Sequence, residues 1–257
     1  GTGRARMEGG EMMGIAFVVV GLATGVLLNV AIERLPTRQA LLRPWSRCDG
    51  CSATGIWPQL VPIVGFVWSR GRCSRCGAPL RKRQLVVEVL SPALFAVLWV
   101  RFGPSWELLV ATAYSILFVV VLFIDIEHRL ILNRVIYPSV IVAAAISPLW
   151  PELGLSRALV GGVVGFLVML LPCLLGGMGG GDVKLAGLIG VMVGFPLVCV
   201  ALVITILTGG LTASALMVLR RKGRKDTMAY GPFLAVAGVV TLLYGQPIWE
   251  WYMASIR

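Results

Sequence analysis

The chain has 257 residues, 58% of them hydrophobic and only 14% charged, with a formal net charge of +11. One soluble core cannot hide that much apolar surface, and the charged fraction is little more than half that of an average soluble protein, so an ordinary globular enzyme is excluded and the bilayer is the expected solvent. The basic residues fall between apolar runs, in Arg34 to Arg83, at Arg129 and Arg134, and in Arg220, Arg221, Lys222, Arg224 and Lys225, so topology explains them and nucleic acid is not an expected partner.

Residues 1–13 read as a polar, glycine-rich tail, expected to be partly an expression remnant, with candidate native starts at Met7, Met12 and Met13. The apolar stretch that follows lacks a small-residue cleavage site and runs straight into Asn29 and Arg34, so it reads as a retained span and not a removed signal peptide. A helix needs about 20 apolar residues to cross the hydrocarbon, with its backbone hydrogen bonds satisfied internally. That template fits eight times, at 14–32, 85–101, 106–124, 135–150, 158–175, 183–195, 197–219 and 230–249. The sixth is short and is expected to tilt or to end in a turn at Gly194-Phe195-Pro196.

The positive-inside rule places residues 33–84 in the cytoplasm and the N-terminus outside. Counting spans alternately then puts 125–134, 176–182 and 220–229 inside, which keeps most of the basic residues on one side. The predicted architecture is an all-α polytopic membrane protein, with one small cytoplasmic domain over 33–84 between the first and second helices and seven helices over 85–257. Glycines cluster inside spans as Gly161, Gly162 and Gly165 and as Gly209 with Gly210, a spacing that lets transmembrane helices approach closely.

Within 33–84, Cys48-x-x-Cys51 and Cys73-x-x-Cys76 are separated by 21 residues. Two knuckles of this kind suit one tetrahedral zinc with four thiolates at about 2.3 Å, and a segment of this size needs such a staple because it cannot bury a core. Two disulfides are the alternative, disfavoured in a reducing compartment. A four-cysteine site has no open position for substrate, so its expected role is structural. Cys173 and Cys199 lie in spans and read as buried apolar side chains.

Two acids stand in apolar surroundings. Asp125 ends the run Ser115-Ile-Leu-Phe-Val-Val-Val-Leu-Phe-Ile124, and Asp182 follows Gly176-Gly-Met-Gly-Gly-Gly181. A carboxylate near the membrane costs several kcal/mol on typical scales, which makes function the default reading. Both fall at the same depth on the same side. Were they to meet, the pair would share a proton near neutral pH, one acid activating water while the other polarises a peptide carbonyl. Gly179, Gly180, Gly181 and Lys184 would form the adjoining active-site loop, the glycines letting an extended substrate strand lie beside the acid. The bland alternatives are that Asp125 caps the interfacial segment through Glu127 and Arg129, and that Asp182 is the N-cap of its own helix, paired with Lys184.

Several motifs in order resemble one family. Leu28-Asn-Val-Ala-Ile-Glu-Arg-Leu-Pro36, the knuckles Ser46-Arg-Cys-Asp-Gly-Cys51 and Gly71-Arg-Cys-Ser-Arg-Cys-Gly-Ala-Pro79, Gln84-Leu-Val-Val-Glu88, Asp125-Ile-Glu-His-Arg-Leu-Ile-Leu-Asn133, Gly179-Gly-Gly-Asp182-Val-Lys184 and Tyr230-Gly-Pro-Phe-Leu-Ala235 together resemble the type IV prepilin peptidases, which carry the GxGD signature of intramembrane aspartyl proteases. Leu132 departs from the family's proline and is expected to alter the local turn. Ser52-Ala-Thr-Gly-Ile also replaces the usual stretch after the first knuckle.

The resemblance implies a bacterial inner-membrane aspartyl endopeptidase with Asp125 and Asp182 as its catalytic pair. It would remove a short basic leader from prepilins or pseudopilins, at the cytoplasmic face and after a glycine, in type IV pilus or type II secretion systems. It further implies N-methylation of the new terminus with S-adenosylmethionine, for which no glycine-rich fingerprint is present and no residues are assigned. Glu127, Glu88 and Asp49 are candidate contacts for the basic leader, or partners for nearby arginines. Rival readings are a proton-coupled transporter, which expects acids at the midplane of repeated halves, a zinc-stapled assembly subunit without chemistry, and an aspartyl peptidase acting on other leaders.

Overall fold

The computed structural model describes residues 2–37, 72, 76–78, 82–150, 153–176, 178–219 and 230–256. Among these the chain is helical and contains no strand. The helices are α1 (Thr2–Thr37), α2 (Lys82–Phe102), α3 (Trp106–His128), α4 (Asn133–Ile146, continued by a 3-10 turn Ser147–Leu149), α5 (Gly154–Leu174), α6 (Gly180–Val193), α7 (Leu197–Val218) and α8 (Gly231–Ile256).

Six of them, Gly10–Thr37 within α1 together with α2, α3, α5, Leu197–Ala215 within α7 and α8, are long and apolar enough to cross a membrane. The chain is thus a multi-pass membrane protein. Helices α4 and α6 have only 14 residues each, about 21 Å at 1.5 Å per residue. They coincide with two of the eight expected spans without reaching a bilayer's thickness on their own.

Several expected boundaries shift by a few residues, and three of the shifts bear on the tail and on the acids. Helix α1 begins at Thr2 and runs through the segment expected to be a polar tail. Helix α3 runs on to His128, so Asp125 lies inside its last turn and not beyond it. Helix α6 starts at Gly180, two residues before Asp182, and ends where expected, at Gly194 with φ 74°. Of the four knuckle cysteines, Cys48, Cys51 and Cys73 lie outside the described residues, as does the basic cluster 220–225.

The chain divides into two units, residues 1–112 and 113–257. Lipid tails are as apolar as leucine, so transmembrane helices associate by close packing and hydrogen bonds. In the first unit, α1 lays Gly14, Gly21 and Gly25 along α2: a β-carbon at these positions would meet the Trp99 ring, the Phe95 ring and the Glu88 backbone. Phe17 stacks on Phe95 at 4.9 Å and on Trp99 at 5.7 Å. Asn29 bolts the pair by donating its Nδ2 to the Gln84 carbonyl at 3.0 Å. Glu88 is fully buried here, so it is not a surface contact for a basic leader.

In the second unit, α6 is the central helix, touching α4, α5, α7 and α8, and it is buried on nearly every side from Asp182 to Val193. It is apolar all round because it faces protein all round. Gly161, Gly162 and Gly165 of α5 press on Gly190 and Gly194, on Val191 and on Ala186, respectively. The expected role of this glycine cluster is close packing, and that is what the contacts show. The second cluster divides: Gly209 makes room for the Tyr230 ring, while Gly210 faces open space. Cys173 and Cys199 are half-buried.

Candidate active site

Three helix ends of the second unit converge. The last turn of α3 brings Asp125, the first turn of α6 brings Asp182, and the start of α8 brings the Tyr230 and Gly231 amides. Both acids are buried, at 3% and 5% exposure. At such burial an uncompensated carboxylate is costly, so each must be read through its partners.

Asp182 has partners. Its carboxylate accepts backbone N–H groups from Gly179, Tyr230 and Gly231. The bond to Gly179 reaches back to the residue before its own helix, the geometry of an acid at the third helical position closing on the N-cap amide. The other two amides belong to the opening of α8, whose first N–H groups have no acceptor within the helix and whose dipole points its positive end at the acid. The bland expectation of a helix cap is therefore half right. Asp182 caps two helices, and it does so without Lys184.

Lys184 lies two residues on, about 200° around α6 at 100° per residue. Its ammonium donates to Asn133 Oδ1 at 2.9 Å and sits 5.4 Å from the Tyr137 ring centroid. It ties α6 to α4, and the expected pairing with Asp182 is not formed. The same face of α6 opens on an apolar cavity of about 360 Å³ among Ile136, Leu159, Val163, Phe166 and Leu188.

Asp125 is different. Its Oδ2 is buried and has no hydrogen-bond partner among the described residues. Among those residues, the charged groups acting on the pair are each other and Arg129. Arg129 closes α3 by donating its N–H to the Asp125 carbonyl at 2.9 Å, with φ 49°, a left-handed conformation uncommon for a residue with a side chain. Past it the chain is extended through Leu132 (φ −77°, ψ 112°) and crosses Gly181, where a β-carbon would come within 2.9 Å of Ile131. So Gly181 is spent on packing, while Gly180 faces open space and Gly179 meets only the Asp182 carboxylate, at 3.7 Å.

The two acids meet at Gly231. Its N–H donates to Asp182, and its bare Cα faces the Asp125 carboxylate closely enough that a β-carbon would overlap it. Two carboxyls in one dry, hydrogen-bonded pocket cannot both ionise cheaply, and a pair that holds a single proton has the two groups hydrolysis needs, a base for water and an acid for a carbonyl oxygen. In the sequence Tyr230-Gly-Pro-Phe stands only as part of the family motif at the start of the last span. A glycine and a proline together at a helix start, level with two acids, were the available signal.

Glu127 remains at the exposed end of α3, 3.9 Å from His128, and Asp49 lies outside the described residues. Among the described residues no three His, Cys, Asp or Glu side chains are grouped to hold a metal. Cys76 is exposed and is followed by Gly77 at φ 70°, the tight turn a zinc knuckle uses. The apolar cavity beside Lys184 does not fit a sulfonium cofactor, because its charged group is itself a cation.

Residues 19–102 match the bacterial peptidase A24 N-terminal domain, and residues 112–214 match the type IV leader peptidase family. The chain is 31% identical over 249 residues to a prepilin leader peptidase/N-methyltransferase of Bacillus subtilis (strain 168), covering 94% of this chain and 98% of that protein. It is 29% identical to the protein of that name from Aeromonas hydrophila, covering 91% of each. A third relative of the same name, from Myxococcus xanthus (strain DK1622), is 35% identical over 62% of this chain and 47% of its own length. No solved structure matches the chain.

Proposed function

The chain belongs to the type IV leader peptidase family, and from that premise we propose that it is a membrane-embedded aspartyl endopeptidase that removes the leader from prepilins or pseudopilins and N-methylates the new terminus. Asp125 and Asp182 are its hydrolytic pair. The observation that carries this reading is their convergence on Gly231, which touches one acid through its Cα and the other through its N–H.

In the proposed reaction the ionised member of the pair takes a proton from water while the protonated member donates to the scissile carbonyl oxygen. The tetrahedral intermediate collapses as a proton returns to the departing amine, and no covalent enzyme intermediate forms. Gly179 and the first turn of α6, with Gly180 as the open position, replace the expected loop as the surface along which the extended substrate lies, and Lys184 anchors that turn through Asn133. The substrate's apolar stalk stays in lipid while its basic leader is held at the interface. Glu127 stands on that side of the pair.

All eight helices cross or enter the bacterial inner membrane, with the N-terminus outside and residues 33–84 and both acids on the cytoplasmic side. Cys48, Cys51, Cys73 and Cys76 hold one structural zinc in the 33–84 domain, and the turn at Cys76-Gly77 supports that set. The methyltransferase name of the relatives implies S-adenosylmethionine, which supplies an electrophilic methyl group to the new amine. The apolar cavity beside Lys184 does not suit that cation.

The test is cleavage of a model prepilin in liposomes by the purified protein and by Asp125→Asn and Asp182→Asn, with mass spectrometry of the product's N-terminus. Cleavage after the leader glycine by the wild type alone is the expected result. An active, inserted variant of either kind removes that acid from the pair.

A further inference from the structure

We infer that Gly231 is a positioning residue for the acid pair: its missing side chain sets where the Asp125 carboxylate lies relative to Asp182. The inference rests on the reading of those two aspartates as the hydrolytic pair.

Glycine is required at 231 for space and not for conformation. Positive φ among the described glycines occurs at Gly77, Gly103, Gly154, Gly176 and Gly194, and Gly231 is not one of them. A β-carbon built on it would overlap Asp125 Oδ2 and lie 2.8 Å from Asp125 Cγ and 3.3 Å from Asp125 Cβ. Three successive atoms of the aspartate are therefore obstructed, and rotating the carboxylate about its last bond clears only the oxygen. Asp125 is 3% exposed, so it has no solvent-filled space to swing into.

The glycine cannot easily give way either. Its own N–H is held by Asp182, and Pro232 follows, fixing the backbone of the first turn of α8. One residue thus touches both acids, one by a hydrogen bond and one by contact. Any side chain at 231 must separate the acids, and a displacement near 1 Å in a reacting group costs on the order of a hundredfold in rate.

An internal control exists on the same two helices. Gly238 of α8 is also too crowded for a β-carbon, though less tightly than Gly231, and by the Phe118 ring of α3, with ring atoms at 2.9 Å and 3.1 Å from the built β-carbon. It lies seven residues further along α8, about 10 Å away at 1.5 Å per residue. Gly238→Ala wedges α3 from α8 without touching a carboxyl group.

The experiment compares wild type, Gly231→Ala, Gly238→Ala, Asp125→Asn and Asp182→Asn in liposomes with a model prepilin. Gly231→Ala is expected to lower kcat about a hundredfold while KM stays within about threefold, and Gly238→Ala to keep kcat within about threefold. A Gly231→Ala variant with wild-type kcat overturns the inference, and so does an equal loss of kcat in Gly238→Ala. Activity in either Asp→Asn variant overturns the underlying reading instead, so the two failures are distinct.

Melting temperatures test the contact independently of activity, including the case in which Gly231→Ala inserts poorly. Gly231→Ala should lower Tm in the wild-type background and lower it much less in Asp125→Ala, because the two atoms it strikes hardest, Oδ2 and Cγ, are gone while only Cβ remains. An equal loss in both backgrounds overturns the inference.

Discussion

Asp182, in the first turn of α6, accepts the backbone N–H of Tyr230, the residue that leads into α8. A backbone donor cannot be removed by trimming a side chain, only by proline. Tyr230→Pro deletes the donor, while Tyr230→Phe keeps both the donor and the ring that fills the space over Gly209. A hydrogen bond to a charged group is worth about 1.5–3 kcal/mol, so Tyr230→Pro should cut kcat roughly ten- to a hundredfold. Tyr230→Phe should stay near wild type. Steady-state cleavage kinetics separate the two, and equal activities would show that the amide does not orient the acid.

Helix α6 owes its position to the glycines of α5. A β-carbon at Gly161 would strike the backbone of Gly190 and Gly194, whereas one at Gly210 would meet nothing within 4 Å. Overpacking a tight interface costs about 1–3 kcal/mol, so Gly161→Ala should lower thermal stability in detergent and slow cleavage with it. Gly210→Ala should be neutral or stabilise by up to about 1 kcal/mol through helix propensity. If the two variants melt alike, packing at α5 and α6 is not what holds Asp182.

Lys184 and Asn133 form one contact between α6 and α4. Lys184→Met and Asn133→Ala should each destabilise the protein by about 1 kcal/mol, because the pair is partly solvated, and so lower Tm, and the double variant should lower it no further. Additive losses would mean that the two side chains act separately. A loss of cleavage in Lys184→Met without a change in Tm would point to contact with substrate instead.

The four-cysteine domain should bind about one zinc per chain by elemental analysis, and Cys48→Ser with Cys51→Ser should abolish it. A strong chelator should make the 33–84 segment sensitive to protease while α3 to α8 remain helical. An oxidised, metal-free domain with two disulfides would refute the zinc assignment.

The parts of this site that sequence made visible are those where a residue type conflicts with its surroundings. Asp125 at the end of a run of apolar residues and Asp182 after a run of glycines are costly in place, and cost is legible. The positions of the helices were legible too, since charge exclusion over about 20 residues leaves few alternatives. Their ends were not: α3 was expected to stop before Asp125 and α1 to begin after the tail, because polar residues continue a helix as readily as they leave one.

The partner of Lys184 could not be read from spacing either. A neighbour at i+2 on a helix faces away, and Asn133 lies on a different helix. Gly231 was quoted within its motif but given no role, because a glycine that makes room leaves no chemical trace in its own side chain. What it accommodates is known only once the helix carrying Asp125 is in place.

The 14-residue length of α6 bears on where the second reactant meets the acids. It reaches about 21 Å, some 9 Å less than a typical hydrocarbon core, and protein, not lipid, surrounds it. A helix enclosed in this way does not have to match the thickness of the bilayer. Its first turn, with Asp182, can therefore stand below the headgroups while the other helices hold lipid away from it. The hydrolytic water would then reach the acids inside the protein without crossing the full membrane, beside the lipid in which the substrate is anchored.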